Sequence, residues 1–342
     1  MTDKKNKITV TEVAKKANVS IATVSRVLNS TVNVSSEISD RVHRAVKETG
    51  YSPLALQSGS VRKSLKTVGI LVPDLHNLFY SYEIMGIEDE LERNGYSVVL
   101  CHTHEDIDKE EKYLNDLQKK AGDGIVMIGS RKRSVSSDHI VEIAATIPVV
   151  MINEHIFGSN VYSVVVDVVD GAYKAVTHLL ESGHTKIGLI NGPDEYSTFS
   201  QKEEGYRLAM NRFGADILSE HIVVTSQYEE GGYEAACKLL SLPDCPTAIF
   251  VSSDQMAIGA LSAIHEAGLN VPGDIAVVGF SNMPLASRLS PPLTTIDQFP
   301  FRCGQLAAEH LLKAMNHSRL EQRKIIVEPE LVVRESTVNK KE

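Results

Sequence analysis

Val19-Ser20-Ile21-Ala22-Thr23-Val24-Ser25-Arg26-Val27-Leu28-Asn29 decides how the whole chain is organised. Ser20 can cap a helix, because its hydroxyl can accept a free backbone N–H of the first turn. Val24, Val27 and Leu28 fall at i, i+3 and i+4 and form one apolar stripe. The opposite face carries Ile21, Ala22, Thr23, Ser25, Arg26 and Asn29, short side chains around one long basic residue. A helix with such a face can seat deeply in a major groove. From there an arginine can make two hydrogen bonds to a guanine edge. The preceding residues predict a partner helix, with Val10, Val13, Ala14 and Ala17 inside and Lys15 and Lys16 outside. Asn18 and Val19 make the turn. A third helix opens at Ser35 and Ser36, with Ile38, Val42, Ala45 and Val46 inward, Arg41, Arg44 and Lys47 outward, and Gly50 as its C-cap. Two short helices joined by such a turn make a helix-turn-helix.

A small bundle with ordinary surface lysines is the plain alternative, and the charge distribution argues against it. Residues 1–66 hold 12 Lys/Arg and 5 Asp/Glu, a balance of +7. The remainder holds 23 and 39, a balance of −16. A basic head on an acidic body is the footprint of local nucleic-acid binding.

The run Ile8-Thr9-Val10-Thr11-Glu12-Val13-Ala14, the stretch quoted above and Gly50-Tyr51-Ser52-Pro53 resemble the lactose/galactose repressor (LacI/GalR) family, and the likeness extends to about Glu335. It implies a helix-turn-helix domain at 1–52, a hinge at 53–66 and a two-lobed body at 67–342. It implies DNA contacts from Thr9, Ser20, Ile21, Ala22, Thr23, Ser25, Arg26, Asn29, Asn33, Tyr51, Leu56 and Ser60. In the family the hinge folds on the operator and wedges a leucine into the minor groove, an unstacking cost offset by wider contact with bent DNA. This chain departs from that pattern. Leu54 replaces the asparagine after the proline, and Gln57-Ser58-Gly59-Ser60 puts Ser60 at the wedge position. Either Leu56 or Val61 takes over the wedge or the contact is weak, and a flexible Ser/Gly linker fits the same residues.

At 342 residues the chain has room for two or three domains. No run of 18 apolar residues exists, and the first residues lack the apolar core of a signal peptide, so the expected location is the cytoplasm. Cys101, Cys237, Cys245 and Cys303 show no CxxC spacing and read as reduced thiols, not as a zinc site or a disulfide frame. No cofactor is expected. Apolar strands at 67–73, 96–101, 124–128 and 148–152 alternate with helices at 79–94, 108–120 and 137–145. A second series runs from about Asp167 to Phe280. Continuous apolar strands separated by helices predict α/β lobes, each a doubly wound parallel sheet of periplasmic-binding-protein type. The expected division gives lobe 1 about 67–165 plus 285–320, and lobe 2 about 166–284 plus 321–342. No heptad pattern follows Glu335, which predicts a homodimer with two recognition helices on a pseudo-palindromic operator.

A cleft between doubly wound lobes binds ligands at the carboxyl ends of the strands. The resemblance places effector contacts at Asp74, Phe79, Tyr80, Lys202, Tyr228, Ser253, Asp254 and Ser281. Phe79 and Tyr80 fit either a stacking role or plain core. Many relatives have arginine at position 202 and aspartate at position 281. Lys202 loses the bidentate fork but keeps a charge, and Ser281 is no anion. A less negative pocket suggests a sugar acid or sugar phosphate as readily as a sugar. The overall expectation is a transcriptional repressor whose operator affinity is set by such an effector, a coupling of about 1–3 kcal/mol. Phe79-Tyr80-Ser81 and Gly86-Ile87-Glu88-Asp89 also resemble the catabolite-control subgroup, switched by a phosphorylated carrier protein. Ser290 stands where that subgroup has a partner-contacting arginine. A transport solute-binding protein would suit the body but not the basic head. An enzyme finds no support, because GxGxxG, GxxxxGK[ST] and GxSxG are absent and the histidines lack paired metal spacing.

Overall fold

The computed structural model describes residues 9–28, 35–49, 66–119, 122–129, 131–316 and 323–338. The chain forms two compact units, Met1–Ser64 and Leu65–Glu342.

The first unit contains α1 (Val10–Ala17), α2 (Ile21–Leu28) and α3 (Ser36–Thr49). The Thr9 N–H donates to the Glu12 carboxylate at 2.6 Å and opens α1 as half of a capping box. Asn18 closes it in the left-handed region, at φ 51. The Thr23 N–H donates to Ser20 Oγ at 3.1 Å, the cap expected for α2. Val13, Val24 and Val42 are fully buried and meet in one core with Ala14, Ala17, Val27 and Ala45. Each buried valine contributes about 1.5–3 kcal/mol relative to exposure. Arg41 departs from its expected outward position. Its Nε donates to the Ala17 carbonyl at 3.3 Å and its Nη2 to that of Asn18 at 3.1 Å. The last carbonyls of α1 have no helical partner, and this side chain satisfies two of them.

The second unit holds two six-stranded sheets. The first contains β1 (Thr67–Val72), β2 (Ser97–His102), β3 (Gly124–Met127), β4 (Val149–Ile152), β5 (Tyr162–Val166) and β11 (Lys324–Val327), in the order β11-β5-β4-β3-β1-β2 and parallel throughout. The second contains β6 (Ile187–Asn191), β7 (Ile222–Val224), β8 (Ala248–Val251), β9 (Ala276–Ser281), β10 (Thr294–Asp297) and β12 (Glu330–Val332), in the order β12-β10-β9-β8-β6-β7. Only β12 runs antiparallel. Within each sheet the first five strands follow the doubly wound order 2-1-3-4-5.

Helices cover both faces. α4 (Leu78–Arg93) and α11 (Pro300–Met315) cover one face of the first sheet, through Ile87, Leu91, Ala307 and Leu311. α5 (Ile107–Lys119) and α6 (Asp138–Ala144) cover the other, through Leu114, Leu117, Ile140 and Ile143. In the second lobe, α7 (Val168–Glu181) and α8 (Ser197–Phe213) pack opposite α9 (Glu229–Leu240) and α10 (Asp254–Glu266).

Two expectations need correction. Strand β5 adds to the expected set, because only a loop joins it to β4 and the strand–helix alternation skips it. The lobe division also changes. β10, expected in lobe 1, pairs with β9 in the second sheet, whereas β11, expected in lobe 2, extends the first sheet beside β5. Helix α11 does return to the first lobe. Edge pairing, which sequence periodicity does not encode, decides these memberships.

Three helix pairs touch backbone to backbone. A Cβ on Gly86 of α4 would lie 2.0 Å from the Phe301 carbonyl oxygen of α11. One on Gly205 of α8 would lie 2.3 Å from the Val169 oxygen of α7, and one on Gly232 of α9 would lie 1.9 Å from the Met256 oxygen of α10. Glu83 sits at the first of these crossings, fully buried. Asn153 Nδ2 donates to its Oε1 at 2.8 Å, and Oε2 has no partner among the described residues.

Gly86→Ala should destabilise the protein by about 1–3 kcal/mol, read from urea unfolding, because backbone must move to admit the methyl group. Burial pushes the Glu83 carboxyl up to about 8 from an ordinary 4.5, against the lowering bond from Asn153. Its stabilising contribution is complete below about pH 4.5 and is lost as the pH rises through about 8. Glu83→Gln should therefore flatten that pH dependence and gain on the native protein by about 3 kcal/mol near pH 7. Urea unfolding at stepped pH reads this difference directly.

Candidate functional site

In the head, the buried side of α2 fixes which residues remain outside. With Val24 and Val27 inward, Ile21 is 48% exposed, and Ala22, Ser25 and Arg26 are exposed beside it. Thr23 is half-buried, and its hydroxyl lies 2.8 Å from Ser20 Oγ, so these two hydroxyls are partly engaged with each other. Thr9 is exposed at the start of α1 and holds Glu12. The structure thus gathers Ser20, Ile21, Ala22, Thr23, Ser25 and Arg26 on one short helix and its cap. Asn29, Asn33, Tyr51, Leu56 and Ser60 lie outside the described residues.

In the second unit, the loops after β1 and β6 leave the two points where strand order reverses, and they face each other across a cleft. An open cavity lies there, lined by Phe79, Tyr80, Lys202, Ser253 and Ser281 of the expected set. Asn77 lines it too and caps α4 by accepting the Phe79 N–H at 3.1 Å.

Lys202 reaches the cavity because Phe199, Lys202, Gly205 and Tyr206 share the buried face of α8. Its Nζ donates to the Ser252 carbonyl at 2.9 Å and lies 4.3 Å from the Phe280 ring centre and 5.2 Å from that of Phe199. Burial pushes its pKa down to about 7, against the pull of Asp254. The expectation that lysine simply keeps the charge of arginine needs this correction. Ser281, at φ 135, holds a strained backbone on the cavity wall and accepts Gln298 Nε2 at 3.1 Å. Ser253 caps α10 by accepting the Met256 N–H at 3.1 Å.

Three expected residues lie outside the cavity lining. Asp254 is buried beneath it, where Oδ1 accepts the Thr295 hydroxyl at 2.5 Å and Oδ2 the Met283 N–H at 2.8 Å. Burial raises its carboxyl to about 6 despite these bonds. Asp74 and Tyr228 join the two lobes instead, the Tyr228 hydroxyl donating to Asp74 Oδ2 at 3.0 Å. Burial alone would raise the Asp74 pKa, but bonds from the His76 N–H, the His76 ring and Tyr228 hold it below the ordinary value. Further contacts span the same gap. The Tyr196 hydroxyl donates to Glu105, that of Ser197 to Glu154 at 3.2 Å, and Lys132 pairs with Glu195 at 2.9 Å.

Sequence reasoning missed Glu105, Asn153, Tyr196, Gln227, Gln255 and Gln298 on the cavity wall. A signal was present. Asn153 follows β4, Gln298 follows β10, and Glu105 lies just beyond β2. Inspecting every strand end, and not three loops, would have found them. Chemically the wall offers carboxamides and hydroxyls, each able to donate and accept, four aromatic rings (Phe79, Tyr80, Tyr196 and Phe199), one amine and one carboxylate. Such a surface suits a molecule rich in hydroxyl groups. Among the described residues no group of three or more His, Cys, Asp and Glu could hold a metal ion, and no helix is long and apolar enough to cross a membrane.

Comparison with known proteins bears on both units. Residues 9–53 match the bacterial regulatory proteins of the lacI family, and residues 176–337 match the periplasmic binding protein-like domain. The chain is 36% identical over 329 residues to the ribose operon repressor of Escherichia coli (strain K12), covering 96% of this chain and 99% of the repressor. It is 33% identical over 332 residues to catabolite control protein A of Priestia megaterium, covering 96% and 99%. The solved lac repressor dimer bound to operator and the anti-inducer ONPF aligns with a TM-score of 0.73 at 26% identity, over 98% of this chain and 100% of that one. With a lacI-family head, two doubly wound lobes and relatives above 30% identity along nearly its full length, the protein belongs to the LacI family of bacterial transcriptional regulators.

Proposed function

We propose that this chain is a cytoplasmic, non-enzymatic transcriptional repressor. It binds a pseudo-palindromic operator as a homodimer, and a hydroxyl-rich effector in the inter-lobe cleft sets its operator affinity. The observation that carries this reading is the exposed face of α2, where Ile21, Ala22 and Arg26 stand together on the basic part of the chain. Short side chains admit the helix to the groove, Arg26 supplies bidentate base contact, and the lysines and arginines of residues 1–66 supply attraction to phosphate. The likeness to a lac repressor dimer bound to operator supports the dimer and the duplex target. The carboxamide- and hydroxyl-lined cavity supports the effector class. The effector acts by changing the contacts that span the lobes, among them Tyr228–Asp74 and Tyr196–Glu105. A ligand that binds one arrangement of the lobes more tightly shifts the population toward it. The likeness to catabolite control protein A favours a second reading, control by a protein corepressor, and Ser290 in place of the subgroup's arginine weighs against it.

Selection of bound duplexes from a random pool tests the reading. The expected result is a pseudo-palindrome of two half-sites, and no enriched sequence would overturn specific operator binding. A preferred CG-like central step would locate a wedging hinge despite Ser60. Arg26→Ala should weaken specific binding by about 1–3 kcal/mol and relax base preference at one position in each half-site. Equal loss on random DNA, measured by titration at fixed salt, would contradict the role given to Arg26.

A further inference from the structure

The ammonium of a lysine carries three donors. Lys202 is 6% exposed, and the structure gives its Nζ one acceptor, the Ser252 carbonyl at 2.9 Å. Two aromatic rings, Phe199 and Phe280, cover it. No carboxylate pairs with it within 4.0 Å among the described residues. A buried amine left this way is costly as a cation, and buried charges in proteins are ordinarily paired. Recognition of neutral hydroxyls does not require it, since carboxamides at Asn77, Asn153, Gln227, Gln255 and Gln298 already line the cavity.

The charged and titratable groups around Lys202 do not supply the partner. Asp254, at the start of α10, is committed to Thr295 and the Met283 N–H. Glu105, from the loop after β2, is exposed and takes the Tyr196 hydroxyl. Tyr80 and Tyr196 on the wall are held protonated by burial. Glu203, the neighbour on α8, pairs with Arg207 at 2.7 Å. The missing partner is therefore sought in the cavity itself.

We propose that the effector carries an anionic oxygen group, a carboxylate or a phosphate, that pairs with Lys202, and that binding takes up one proton from solvent. The proposal rests on the effector cleft described above and names the class of molecule it accepts. The proton balance is simple. The empty cleft holds mainly the neutral amine above pH 7, because burial lowers its affinity for a proton to about 7. The entering anion stabilises the ammonium, so a proton moves from buffer to Nζ and no other bond changes. At pH 8 about nine-tenths of the amine is neutral, so uptake approaches one proton, and at pH 6 it approaches none. Affinity for the anion then rises about tenfold per pH unit from pH 9 down to pH 7 and levels below that.

Calorimetry on the full-length protein tests this. The probes are D-gluconate, D-ribonate, D-glucose 6-phosphate and D-ribose 5-phosphate, each beside its neutral sugar. Titrations at pH 8 in triethanolamine and in Tris, cationic buffers that differ in ionisation enthalpy, count the protons. The expected result is that an acid or a phosphate binds at least about tenfold tighter than its neutral sugar, with uptake near one proton; comparing the acid and phosphate arms identifies the group. Lys202→Met should abolish both the preference and the uptake, and its circular dichroism and cooperative urea unfolding read whether the variant is folded. Tighter binding of a neutral sugar, binding without proton uptake, or an unchanged preference in Lys202→Met would overturn the proposal and leave the effector cleft standing. If no probe binds while the operator selection succeeds, the proposal and the effector assignment fail together and the DNA-binding reading remains.

Discussion

A parallel sheet places the carboxyl ends of all its strands on one edge, and that constraint governs the second unit of this protein. Both sheets follow the 2-1-3-4-5 order, so each has one point where the strand order reverses and adjacent loops part. The chain passes between the lobes after β5, after β10 and after β11, and these passages hold the two reversal points opposite each other. Every residue on the cavity wall is a consequence. Asn77 and Phe79 follow β1, Asn153 follows β4, Ser253 and Gln255 follow β8, and Gln298 follows β10. Sheet order is in turn held by the helix pairs, whose glycines let backbones approach closely enough to cover the sheets.

Asp254, Glu83 and Lys202 lie buried near this cleft, and their partners separate their roles. Asp254 is nearly satisfied, with a hydroxyl and a backbone N–H on its two oxygens, so it braces α10 against β10. Glu83 has one oxygen bonded and one without a partner, which raises its proton affinity and keeps it largely neutral near pH 7. Asn153 is the link, because it donates to Glu83 and also lines the cavity. Lys202 has a single acceptor and two ring faces, and alone of the three it lines the cavity.

The sequence by itself determined the recognition helix. Val24 and Val27 dictate its inner face, so Ile21, Ala22, Ser25 and Arg26 point outward. Capping by Ser20 and the α/β class of the body were equally legible, because local hydrogen bonding and hydrophobic period are short-range properties. Family likeness added Lys202 and Ser281 to the cavity. Only the tertiary structure decided the rest. Strand β11 lies on the first sheet because β5 offers it an edge, a pairing more than 150 residues away in the chain. Arg41 turned inward because the end of α1 left carbonyls within its reach. Lys202 became a marginal cation because two rings and a carbonyl, from three separate elements, close around it. Desolvation depends on everything packed around a group, and a linear pattern records only what stands beside it in the chain.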